Sequence, residues 1–368
     1  MSRFFSPFQW LWNYYQKHKG IIGPFYFAFG FILHNLNPKR IDVMRDNYQL
    51  LAYIILAGIL IVLSHVIESG RLRTAFFENR ANWITAGIQF FMGGLFSKHV
   101  HFYFQSSAGL KSLLFIGALM ALLLINEFYK NKFNYLYLQF AMYFMACVSF
   151  FIFFLPIMTK EMGQKTFLLG GVTGLVFTLI ILAAVCFGTS KVTQKSFLRS
   201  SLVILIIYIL LNVFYFMRWI PPVPMALKHY GIYHHVAKSD YLYTLQFEQP
   251  EWYAFWRKSN SVYQYRQGDT VFCFTSIFAP TEMNKTIYYN WQRYEPNQKQ
   301  WILQEKLSYL LQGGREGGYR GYSYKTTIWP GEWRIEITTE EDILLGELDF
   351  EVVWSQNDLE REMKTIQR

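Results

Sequence analysis

The sequence predicts a two-part fold: an α-helical polytopic membrane domain of about seven spans, then an all-β C-terminal domain built as an immunoglobulin-like β-sandwich. Three observations predict it. Residues 1–218 are long apolar runs broken by short basic loops, and a spanning helix needs about 20 mostly apolar residues. Trp219-Ile-Pro-Pro-Val-Pro ends that pattern, because proline removes a backbone donor and clashes with the preceding turn. Beyond it, short runs alternate with period two between Gly and Pro turns, the pattern of half-buried strands. The chain therefore divides into a helical domain over 1–218, a Pro-rich interfacial linker over 219–240, a sandwich over 241–355 and a polar tail over 356–368.

Taken in order, the apolar runs predict helices near 20–36, 48–67, 83–104, 109–128, 135–158, 166–188 and 200–218. The first contains Pro24, and the third is clean only from Trp83 to Ser97, before Lys98, His99 and His101 intrude. Gly170-x-x-x-Gly174 and the pair Gly93-Gly94 read as close-packing surfaces. In the linker, Trp219, Tyr230 and Tyr233 suit an interfacial belt. Strands follow at Tyr241–Phe247, Thr270–Phe278 (apolar enough to be central), Thr286–Tyr294, Gln300–Leu311 and Tyr319–Ile328. Trp333, Ile335 and Ile337 then alternate with Arg334 and Glu336, and Leu348, Phe350 and Val352 with Asp349 and Glu351. Trp333 is the expected core tryptophan, and Gln356 to Arg368 reads as a short polar helix or a frayed end.

Only 16% of residues are charged, against roughly 25% in soluble domains. The net +10 would suggest nucleic acid, but residues 1–218 hold 19 Lys/Arg against 6 Asp/Glu, and residues 219–368 hold 16 against 19. The excess basic charge thus belongs to loops between helices, where it orients spans and meets anionic headgroups. With the N-terminus in the cytoplasm the inner segments carry 11 cations and the outer ones 8. An odd span count then puts the C-terminal domain in the periplasm of a Gram-negative cell. Of the three cysteines only Cys273 lies in the polar half, which permits no disulfide within it. No spacing resembles a zinc site, and no cofactor or metal is expected.

Two groups of residues are candidates. Gly313-Gly-Arg-Glu-Gly-Gly-Tyr-Arg-Gly-Tyr lacks a Walker or dinucleotide spacing and is either a hairpin loop or a binding loop. As a binding loop it would use Arg315, Tyr319, Arg320 and Tyr322, with Trp329 beside them; Arg offers bidentate recognition of carboxylate or phosphate, and the aromatics a stacking platform for a glycan. In the membrane half, His65, Gln89, His99, His101, Asn126 and Glu127 are polar groups in apolar surroundings, which either reach headgroups at helix ends or line a cavity. His229, His234 and His235 read as interfacial histidines without a suggestively spaced carboxylate, and Glu340-Glu341 as solvated charge.

The run Ile220-Pro-Pro-Val-Pro-Met-Ala-Leu-Lys-His-Tyr-Gly-Ile-Tyr-His-His, with the glycine-rich segment at 313 and Pro330-Gly-Glu-Trp-Arg-Ile-Glu, resembles bacterial multi-spanning membrane proteins ending in domain of unknown function 2914. The resemblance covers about the last 150 residues. It implies location and architecture, an envelope protein with a small β domain, and neither an activity nor a catalytic residue. Two functions follow as expectations. One is a non-enzymatic inner-membrane protein presenting a periplasmic sandwich to a glycan, an envelope polymer or a partner protein. The other is a transporter or membrane-embedded enzyme acting on a lipid-linked substrate, with the sandwich as accessory. In both, the partner of the helical half is the lipid bilayer.

Overall fold

The computed structural model describes residues 43–71, 81–106, 114–117, 136–189, 192–220, 224–240, 242–249, 259–280, 283–313, 317–355 and 362–368, with Phe29 and Trp252. The chain forms two compact units, one of helices ending at Ile220 and one carrying Pro221–Arg368.

The described helices are α1 (Met44–Glu68), α2 (Ala81–Gln105), α3 (Leu136–Thr159), α4 (Gln164–Gly188) and α5 (Gln194–Phe216). A helix of 25 residues is roughly 37 Å long, enough for a hydrocarbon core of about 30 Å. Of the five, α1, α3, α4 and α5 are long and apolar enough to cross a membrane. The expected seven spans are thus four among the described residues. The run at 83–104 is helical as α2, but the charged and polar groups from Lys98 onward keep it out of that set. The runs at 20–36 and 109–128 lie almost wholly outside the described residues.

Packing ranks the helices. The apolar window of α3 is 67% buried and that of α5 only 17%, so α3 is the hub and α5 turns most of its surface outward. Glycine sets the approach of α4 to α3. A Cβ on Gly174 would stand 2.8 Å from Val148 Cα, and one on Gly170 3.1 Å from the backbone of Phe151 and Ile152. Gly170-x-x-x-Gly174 is therefore a packing surface, as its spacing predicts. The buried Tyr143 hydroxyl donates to the Ile54 carbonyl at 2.9 Å and ties α3 to α1.

The second unit contains β1 (Ala226–Tyr233), β2 (His235–Ser239), β3 (Leu242–Glu248), β4 (Val262–Tyr265), β5 (Val271–Phe278), β6 (Asn284–Glu295), β7 (Gln300–Gln312), β8 (Tyr319–Lys325), β9 (Gly331–Thr339), β10 (Leu344–Trp354) and β11 (Met363–Gln367). They form three sheets, ordered β1-β5-β8, β4-β10-β9-β6-β7 and β11-β3-β2. β5 is central in its sheet, as its apolar run predicts. All pairings are antiparallel except β4 with β10.

The sheets stack in three layers with β1-β5-β8 in the middle. On one side Tyr289 of β6 shares a 2.7 Å hydrogen bond with Thr275 of β5, and the Trp291 indole N–H donates to Ser323 Oγ of β8 at 3.2 Å. Period-two alternation supplies the apolar faces: Trp333, Ile335 and Ile337 are fully buried while Arg334 and Glu336 are not. Trp333 is a core tryptophan as expected, and Trp291 is a second. On the other side of the middle sheet, Val236, Leu245 and Phe247 pack on Tyr233 and Phe274.

Two expectations are corrected here. Residues 226–239, read as interfacial linker, form β1 and β2, and Tyr233 is a buried core residue rather than part of an interfacial belt. In the tail, read as a short polar helix or a frayed end, the described stretch Met363–Gln367 is a strand paired antiparallel with β3, which fixes a segment too short and polar to signal itself.

Candidate functional site

The sequence Tyr319-Arg-Gly-Tyr-Ser-Tyr-Lys becomes β8, and the pleat sends alternate side chains to opposite faces. One face looks toward the five-stranded sheet. There Tyr319 stacks on Tyr309 at 5.9 Å, Gly321 lies under the Tyr309 ring, and Ser323 accepts from Trp291. Burial pushes the Tyr289 and Tyr309 phenols well above their usual range, so this face is a neutral structural seam. The other face carries Arg320, Tyr322 and Tyr324, opposite Ser276, Phe274 and Phe272 of β5.

Among the described residues the third layer packs on Tyr233 of β1 and Phe274 of β5, and it reaches β8 at Tyr322 through Tyr243. Tyr322 is 41% and Tyr324 55% exposed, large values for rings packed in a cluster. Phe272 lies 6.1 Å from Tyr322 and 5.9 Å from Tyr324, and Tyr243 of β3 is 6.3 Å from Tyr322. Lys238 Nζ stands 5.9 Å from the Tyr243 ring centroid. Among the described residues β8 pairs with β5 alone, so these rings stand at a sheet edge. Gly318 has φ of +85° at the turn into β8, and the neighbouring Gly317 lies beside the Arg320 guanidinium, 3.7 Å from where a Cβ would be.

The predicted loop site is thus divided. Arg320 and Tyr322 share the open face, Tyr319 points the opposite way, and Arg315 lies outside the described residues. Trp329 belongs to another cluster: it packs on Trp333 at 5.8 Å, its carbonyl accepts from the Trp333 indole at 2.9 Å, and Arg293 covers its ring. Tyr324, Phe272 and Tyr243 were missed. Period-two counting along β8 pairs Tyr324 with Tyr322; no local signal marks Tyr243.

The three histidines separate. His229 bonds Tyr233 at 2.8 Å, and the ring of His235 lies 6.2 Å from that of Phe272. His234 does have a carboxylate: Glu248 Oε1 lies 2.7 Å from its Nε2, with Tyr263 stacked at 4.0 Å and Asn260 Nδ2 at 3.3 Å. The pair is invisible in sequence because a strand turn brings the two residues together. Glu340 and Glu341 are not merely solvated either, since both hold Lys285. Burial alone would lower that ammonium, but the two carboxylates outweigh it and raise its pKa. Among the described residues no group of three or more His, Cys, Asp or Glu is placed to hold a metal ion.

In the helical unit, His65 Nε2 meets Gln139 Oε1 at 2.8 Å, whereas His99 stacks on Phe153 at 5.9 Å. Gln139 and Phe153 are separated by roughly 21 Å of α3 at 1.5 Å per residue. The two histidines therefore do not converge on one pocket. His99 is 1% exposed, and among the described residues neither ring nitrogen has a hydrogen-bond partner. Gln89 is buried on α2, His101 is half-buried there, and Asn126 and Glu127 lie outside the described residues.

The family described as "Protein of unknown function (DUF2914)" matches residues 284–352, from the start of β6 into β10, a narrower stretch than the resemblance suggested. No curated protein matches the chain. Among solved structures, Pseudomonas fluorescens alkylpurine DNA glycosylase AlkC bound to DNA containing an abasic site analog is similar at 10% identity over 86% of this chain and 100% of that one. Its TM-score of 0.21 is too low to carry any argument.

Proposed function

We propose that this chain is a non-enzymatic envelope protein, held in a bacterial inner membrane by its helices, whose β unit lies in the periplasm and binds a glycan, an envelope polymer or a partner protein. The observation that carries the reading is the open aromatic face of Tyr322, Tyr324, Phe272 and Tyr243, since large apolar rings left at a sheet edge mark recognition surfaces. The four long apolar helices support the membrane location.

An immunoglobulin-like sandwich is the finer reading of two of the three layers, the sheets β1-β5-β8 and β4-β10-β9-β6-β7. Its support is that β5 and β6 lie in different sheets, as strands B and C of that fold do, and that β6 carries the buried Trp291 where strand C carries its tryptophan. Cys273 of β5 is a free thiol, so burial rather than a bridge holds the layers.

Two measurements test the proposal. Periplasm-active and cytoplasm-active reporters fused after Gln356 should be active and silent respectively; the reverse result removes the periplasmic assignment. Isolated envelope material should be retained by the full-length protein and not by its Tyr322→Ala/Tyr324→Ala variant, and equal retention would reject this face.

A second reading, in which the helices transport or modify a lipid-linked substrate, is favoured by His99, a buried polar group that has no hydrogen-bond partner among the described residues and is costly there.

A further inference from the structure

We infer that the occupant of the Tyr322–Tyr324 face is an anionic glycan, one carrying carboxylate, phosphate or sulfate groups along its chain. This rests on the reading that the β unit binds at that face, and it names the chemistry selected there.

Opposed residues of antiparallel strands share a face. In the middle sheet Ser276, Phe274 and Phe272 of β5 stand beside Arg320, Tyr322 and Tyr324 of β8. In the third layer Lys238 pairs with Tyr243, and Ile366, which packs on the shared core, fixes the side taken by Lys364 two residues before it. Among the described residues at these facing positions of β2, β3, β5, β8 and β11, the charged ones are Arg320, Lys238 and Lys364, all cations. The composition of the unit does not explain that bias, because residues 219–368 carry 16 Lys/Arg against 19 Asp/Glu.

The carboxylates are gathered elsewhere. On the outer face of the five-stranded sheet Glu336 stands opposite Glu347 and Glu332 opposite Glu351, with Arg334 and Asp349 between them. Among the described residues the β unit is thus electrically two-sided, acidic on the outer face of the five-stranded sheet and basic at the positions facing the aromatic rings. Like charges directly opposed across strands are unfavourable, so the segregation is maintained against a local cost.

The two features select different parts of one ligand. Tyrosine rings stack on the C–H faces of a sugar whether or not it is charged. Lys238 and Arg320 at the rim add a preference for anionic groups, Arg320 by a planar fork that matches carboxylate or phosphate. The Arg320 guanidinium lies beside the turn, 3.7 Å from where a Cβ on Gly317 would be.

The test uses full-length protein in nanodiscs of zwitterionic lipid and two probes of one backbone, polygalacturonate and its fully methyl-esterified form. Wild type should bind polygalacturonate at least about tenfold more tightly than the ester. Lys238→Gln/Arg320→Gln should lose most of that preference and keep its affinity for the ester, while Tyr322→Ala/Tyr324→Ala should lose both. Intrinsic fluorescence and Tm establish that each variant folds. The basic loops of the helical unit are common to every variant, so the differences report the β unit. Equal affinity of wild type for the two polymers, or a preference that survives Lys238→Gln/Arg320→Gln, overturns the anionic assignment and leaves the aromatic face standing. Undiminished binding by Tyr322→Ala/Tyr324→Ala, or no binding of either polymer by wild type, overturns both.

Discussion

Trp291 and Ser323 show how much of the β unit rests on single polar contacts between layers. The indole N–H is buried and finds Ser323 Oγ at 3.2 Å. Ser323→Ala leaves that donor unpaired and should cost about 1–3 kcal/mol, read as a lower urea midpoint at unchanged slope. His99 is the opposite case, since its buried nitrogens have no hydrogen-bond partner among the described residues. His99→Phe should therefore raise Tm in detergent; a fall would show that an unseen partner satisfies the imidazole. Titration adds a third test. Burial raises the Cys273 thiol and the Tyr233, Tyr289 and Tyr309 phenols above their unfolded values. Raised folded-state values mean that the unfolded chain loses protons first, so this stability is complete below roughly pH 8.5 and declines as pH rises through the thiol and phenol range. Urea midpoints at pH 7.5 and 10 should differ accordingly, and equal midpoints would contradict the burial of these groups.

At the scale of elements, the clearest sequence signals were those with both a period and a boundary. Trp333-Arg-Ile-Glu-Ile alternates, follows a Pro-Gly turn, and is β9. β1 and β2 lacked that signal because prolines precede them and the cluster His229, Tyr230, Tyr233, His234 and His235 reads equally well as a membrane interface. β11 is five residues of Met-Lys-Thr-Ile-Gln, and only its partner gives it structure. The candidate site was half legible: residue types pointed to β8, but a loop reading grouped Tyr319 with Tyr322, which a strand sends to opposite faces. Helix packing makes its own prediction. Gly174→Val places atoms against the Val148 backbone, which cannot rotate away, whereas the nearest atoms to a Cβ at Gly171 belong to the Tyr208 ring, a side chain that can shift. Gly174→Val should lower Tm in detergent by far more than Gly171→Ala, and similar losses would show that α3 and α4 are not pressed together there.

For the whole molecule, composition separated an apolar helical part from a β-rich part, because long continuous apolar runs and short alternating ones leave different patterns in the sequence. It could not count spans, since α2 has the length of a spanning helix without the hydropathy. Nor could it give the third layer, whose strands come from distant parts of the chain. The sheet β11-β3-β2 joins Glu248 to Met363, more than a hundred residues later. Closing a loop of that size has an entropic cost, and contacts of such separation form late. The intervening strands must first collapse into the two inner layers before β11 can find β3. Amide protons of β11 should therefore be the last to gain protection during refolding, and this outer layer sets the time at which the aromatic face, bounded by Tyr243 of β3, is complete.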